Sequence, residues 1–109
     1  MRIWMIGADQ AAIDAIYQLR KKEDVEIFVS ATTARPKAVV EGVIDRVDYV
    51  EQVSSVNINL LARRIRPDLI LIDASAEERS FGRVSGGTAF SEALTYEIAH
   101  ASDYPCLVL

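Results

Sequence analysis

The sequence predicts a three-layer α/β domain built on a five-stranded parallel sheet. Three observations carry that expectation. Five short apolar runs (RIWMI, VEIFV, VDYV, LILI and CLVL) alternate with segments whose apolar residues recur at helical spacing. Strands that alternate with helices imply parallel pairing through right-handed crossovers. The strands are rich in Ile, Leu and Val, as in a sheet covered by helices on both faces.

The first strand is Arg2–Ile6, ending at Gly7. Asp9 is placed to cap the helix that follows, because its short side chain can accept an N–H of the first turn. Ala12, Ile13, Ile16 and Leu19 mark the inner face of that helix, which ends in Arg20, Lys21 and Lys22, cations suited to a negative dipole end. Val25–Val29 is the second strand. Pro36 suits a first helical turn. Ala38, Val39, Val40, Val43 and Ile44 then form a short helix weakened by Gly42.

Val47–Val50 is the third strand. Ser54, Ser55 and Asn57 offer caps for a helix carrying Val56, Leu60, Leu61 and Ile65, which Pro67 stops. Leu69–Ile72 is the fourth strand, with Asp73 at its end. A long polar loop follows, and a helix from about Ala89 to Ala101 buries Phe90, Leu94, Ile98 and Ala101. Pro105 opens the fifth strand, CLVL. The expected strand order is 3-2-1-4-5, and 2-1-3-4-5 applies if Val47–Val50 is not a strand.

The 109 residues suffice for one domain, residues 1–109, and 50% are hydrophobic, enough for a packed core. A net charge of −4 argues against nucleic-acid or anionic-membrane binding, which needs a basic surface. No apolar run approaches the roughly 20 residues that span a bilayer. The single cysteine, Cys106, cannot form an internal disulfide, and a reduced, cytoplasmic protein is expected. The apolar last strand leaves a sheet edge that invites another chain, so a homodimer or a partner domain is expected at Cys106–Leu109.

In an open parallel sheet, ligands sit beyond the carboxyl ends of the strands, where the strand order reverses. That rim gathers Gly7, Ala8, Asp9 and Gln10 after the first strand. The second strand adds Ser30, Thr32, Thr33, Arg35 and Lys37. Asp73 and Ser75 follow the fourth. Gly86, Gly87 and Thr88 precede the last helix. There the same groups read either as a turn with a capping threonine or as an anion cradle, since both uses draw on the same N–H groups.

In this pattern the whole chain resembles the Rossmann-like superfamily of NAD(P)- and nucleotide-binding domains. The family's first turn is G-x-G-x-x-G; here it reads Gly7-Ala8-Asp9-Gln10-Ala11-Ala12, with the first glycine alone retained. Asp9 stands where a pyrophosphate would approach. Ser30, Thr32 and Arg35 are similar to the pattern that accepts a ribose 2′-phosphate. The latter half, RPDLILIDAS through GGTAFSEAL to SDYPCLVL, looks like the C-terminal half of universal stress proteins, which implies that Gly82, Gly86, Gly87 and Thr88 cradle ATP phosphates. RIWMIGADQAAIDAI and RPDLILIDAS also resemble bacterial receiver domains, with Asp73 at the phosphoacceptor position; Gly7 and Ala8 replace the acidic pair that binds magnesium there.

Catalytic groups are few. His100 falls at the amino edge of the sheet, opposite the ligand rim, and Cys106 reads as a small core residue. Trp4 is expected to pack in the core. Glu77, Glu78, Arg79 and Arg83 read as a solvated loop face, in a loop long enough to close over an anion. The expectation is a non-catalytic, regulatory domain binding a nucleotide such as ATP or NAD(P), or another small phosphorylated ligand. An NAD(P)-binding part of an oxidoreductase and a protein-interaction module are the alternatives.

Overall fold

A computed structural model describes residues 1–75 and 87–109, with the backbone alone described at 87–92 and 94. The elements run β1 (Arg2–Ile6), α1 (Gln10–Leu19), β2 (Glu26–Ala31), α2 (Lys37–Val40), β3 (Tyr49–Val50), α3 (Ile58–Ile65), β4 (Leu69–Ile72), α4 (Gly87–Ala101) and β5 (Cys106–Val108). The sheet is five-stranded, in the order β3-β2-β1-β4-β5. Every neighbouring pair is parallel. This is the Rossmann-like architecture expected from the alternation of elements.

The period of two along a strand sends successive side chains to opposite faces. β1 therefore feeds two cores. Ile3 and Met5 pack with Ile13 and Ile16 of α1 and Ala38 of α2. Trp4 and Ile6 pack with Ile58, Ala62 and Ile65 of α3 and Ile98 of α4. β4 repeats the division, with Leu71 on the first side and Ile70 and Ile72 on the second. A central strand buried on both faces is why RIWMI and LILI read as continuous apolar runs.

Some boundaries differ from the sequence reading. β2 extends past Val29 through Ser30 and Ala31, because those two residues pair with Tyr49 and Val50 of β3. β3 is shorter than Val47–Val50: the Asp48 carboxylate accepts the Val29 N–H at 2.7 Å, so a side chain takes over where the ladder would continue. α2 stops at Val40, and Gly42, at φ +75°, turns the chain away. Val43 still reaches the core from beyond the helix.

α3 starts at Ile58, later than expected, and buries Ile58, Ala62 and Ile65. Val56 lies ahead of it at 91% exposure, and Leu60 faces outward. The Asn57 side chain accepts the Ser54 N–H at 2.7 Å, which holds residues 54–57 in a turn and delays the helix. α4 begins at Gly87, two residues before Ala89. The expected burial of Phe90 and Leu94 lies outside the described side chains.

Candidate functional site

The turn between β1 and α1 holds the carboxyl edge together. Gly7 has φ +92°, a left-handed conformation that a side chain would strain, and its N–H donates to Ser30 O at 2.8 Å across to β2. Asp9 is the N-cap of α1: its carboxylate accepts the Gln10 N–H at 2.8 Å, as the sequence suggested. Ala8 O accepts the Ala38 N–H at 3.0 Å, which ties α2 to the same turn.

A second carboxylate reaches this turn from β4. Asp73 is completely buried. One of its oxygens accepts the Asp9 N–H at 3.0 Å and the Ala12 N–H at 2.8 Å. The other accepts the Ser75 N–H at 2.9 Å and the Ser75 hydroxyl. The first-turn N–H groups of a helix favour an anion. Here the anion is part of the chain. An Asp73 enclosed in this way does not present an oxygen to a phosphoryl donor, which sets it apart from the phosphoacceptor of the receiver resemblance. Among the described residues, no group of three or more His, Cys, Asp or Glu side chains is placed to hold a metal ion.

Beside the turn lies a cleft of about 280 Å³. Gly7, Ala8 and Asp9 form one wall, Ser30 and Thr32 the end of β2, and Arg35 and Lys37 the entry to α2. Two residues not singled out in the sequence, Glu51 and Val53, line it from the loop after β3. The strand order contained the signal for them: with β3 beside β2, the carboxyl end of β3 falls on the same rim.

Charge is divided around the cleft. Arg35 is exposed, and its guanidinium has no ion-pair partner among the described residues. Lys37 donates one Nζ hydrogen to Gln10 Oε1 at 2.7 Å, leaving capacity for two further bonds. Asp9 and Glu51 supply negative charge. Thr32 and Thr33 are exposed hydroxyls. Ser30 is buried and committed: its Oγ accepts the Trp4 indole N–H at 2.9 Å.

The twelve residues singled out in the sequence thus divide. Gly7, Ala8, Asp9, Ser30, Thr32 and Arg35 line one cleft. Gln10 lies outside it, bridging Lys37 and Asp14. Asp73 and Ser75 bond to each other beneath the turn. Gly87 and Thr88 open α4, and their side-chain surroundings lie outside the described residues, as do Gly86, Gly82 and the charged loop Glu77, Glu78, Arg79 and Arg83. Trp4 is a core residue, His100 is exposed in the last turn of α4, and Cys106 is half-buried in an edge strand. Burial pushes the Cys106 thiol up to about 11.

No helix among the described residues is long and apolar enough to cross a membrane. Neither the family models, nor the curated proteins, nor the solved structures contain a match to this chain.

Proposed function

We propose that the chain is a non-catalytic binding domain for a nucleotide or another small phosphorylated ligand, seated in the cleft at the carboxyl ends of β1 and β2. One observation carries the reading: Arg35 and Lys37 line the same concave site as the turn at Gly7. Guanidinium and ammonium groups on a pocket wall suit a phosphate or carboxylate, the first as a planar fork and the second as a point charge. Thr32 and Thr33 add hydroxyls that can bond a sugar or the same anion. Apolar contact comes from Val53 and Pro36. These groups bind and orient, so a sensor or regulatory role suits them better than a reaction.

A thermal-shift screen with ATP, AMP, NADH, NADPH and cyclic nucleotides tests the reading. A ligand at 100 times its dissociation constant stabilises by about 2.7 kcal/mol. The shift should vanish in an Arg35→Ala, Lys37→Ala double variant that keeps the wild-type melting temperature without ligand. A shift that survives that change places the ligand elsewhere.

A second reading has its own observation. Among the described residues β5 pairs on one side only, with β4, and Leu107 is 57% exposed. An unpaired, apolar edge favours association, so an interaction module built on β5 is the alternative, with a second copy as its first candidate partner. Sedimentation of the wild type against Leu107→Asp separates the two: the alternative requires a dimer that the charge dissociates.

A further inference from the structure

We infer that Asp73 sets the ligand class of the cleft, favouring a compound with a single phosphate over one with a pyrophosphate. The inference rests on the reading of the cleft as a phosphorylated-ligand site. In an open parallel sheet, a pyrophosphate lies on the N-terminal N–H groups of the helix that follows the first strand. In this chain the Asp73 carboxylate takes that place. It accepts the Asp9 and Ala12 N–H groups at 3.0 and 2.8 Å, while the Asp9 carboxylate accepts the Gln10 N–H.

Asp73 is also held from behind. Ser75 donates both its N–H and its hydroxyl to the far carboxylate oxygen, and the side chain is wholly buried. A ligand phosphate would have to displace a carboxylate fixed by these bonds or lie beside two negative charges in a poorly solvated turn. Like charges at contact distance in such surroundings repel strongly. The cations lie beside the turn rather than on its N–H groups: Arg35 and Lys37 line the cleft, and Lys37 Nζ donates to the Gln10 side chain at 2.7 Å.

The cleft's volume of about 280 Å³ falls just under the roughly 300–1,000 Å³ of ordinary small-molecule sites, which favours a small ligand over a dinucleotide.

The test is calorimetric titration of the full chain with two pairs of probes: AMP against ADP, and inorganic phosphate against pyrophosphate. The wild type is expected to prefer the monophosphate of each pair by about tenfold or more. Asp73→Ala opens the Asp9 and Ala12 N–H groups to a ligand oxygen, and the preference should fall by about tenfold. Wild-type binding of ADP and pyrophosphate as tight as that of AMP and phosphate overturns the inference alone. So does a folded Asp73→Ala variant that keeps the full preference. If that variant does not fold, the wild-type ratios decide. Failure of all four probes to bind overturns the inference together with the reading of the cleft.

Discussion

An oxygen of the Asp73 carboxylate accepts the N–H of Ala12 at 2.8 Å, joining the end of β4 to the first turn of α1 across 61 positions of sequence. The same oxygen takes the Asp9 N–H, and the other carboxylate oxygen takes two donors of Ser75. Helix starts expose N–H groups that the helix itself cannot satisfy. A buried start therefore needs an acceptor from elsewhere, and β4 supplies it. Asp73 is thus a structural tie between the central strands and the helix above them.

Removing that tie should be costly. Asp73→Ala leaves three backbone N–H groups, of Asp9, Ala12 and Ser75, without this acceptor. Each buried donor left unmet costs about 1–3 kcal/mol, so a loss of about 3 kcal/mol or more is expected. Asp73→Asn keeps one acceptor oxygen and should lose less. Urea unfolding checks both, with the midpoint falling and the slope unchanged. A midpoint within error of the wild type would show that water or another group satisfies those donors.

Trp4 and Ser30 make the next test. Both are buried, and the indole N–H donates to the serine Oγ at 2.9 Å between β1 and β2. Ser30→Ala strands the indole donor and should cost about 1–3 kcal/mol. In the Trp4→Phe background the donor is gone, so the same serine change should cost clearly less. The coupling from the double-mutant cycle measures the bond. Equal costs in the two backgrounds would mean that the serine acts through packing alone.

How much of this the sequence revealed follows from what each feature depends on. The strand order was legible because alternating elements, apolar strands and right-handed crossovers leave few arrangements. Asp9 was legible as a cap because capping is local, one residue from the helix it serves. The bond from Asp73 to Ala12 was not, since sequence spacing is silent about a contact between distant segments. From the sequence, Asp73 reads either as an ordinary strand-end residue or as a ligand-facing acid, both natural for a carboxylate at a strand's end. The inner face of α3 was legible only in part, at Leu61 and Ile65, for a related reason. Val56 and Leu60 fit a helical spacing as well as Ile58 and Ala62 do, and the Ser54–Asn57 turn, a side-chain contact, chose between them. Glu51 and Val53 reach the cleft through the position of β3 beside β2.

Arg66 offers a stabilising change. It caps α3 at φ +55°, left-handed backbone that costs a residue with a Cβ about 1–2 kcal/mol. Its side chain is exposed. Glycine removes that cost and adds back roughly 0.5–1 kcal/mol of unfolded-state entropy. Arg66→Gly should therefore stabilise by about 0.5–1 kcal/mol, read as a higher melting temperature. Arg66→Ala keeps the Cβ and should give no gain; an equal gain from alanine would locate the effect in the arginine side chain rather than in the backbone.

Cys106 supplies a pH test. It sits half-buried in β5, and burial raises its thiol from 9.0 to about 11. The folded state therefore holds the proton after the unfolded chain has lost it. The contribution to stability is unchanged below pH 9 and is lost as pH rises toward about 11. Other groups titrate in that window, so the measurement is a difference: wild type minus Cys106→Ala, by urea unfolding at pH 8 and pH 10.5, should shift against the wild type at the higher pH. Since the thiolate is the nucleophile, alkylation of the folded protein by iodoacetamide at pH 8 should be much slower than that of the urea-unfolded chain. Comparable rates would mean that β5 opens readily or that the thiol is solvated, and either result would remove the burial argument for this strand.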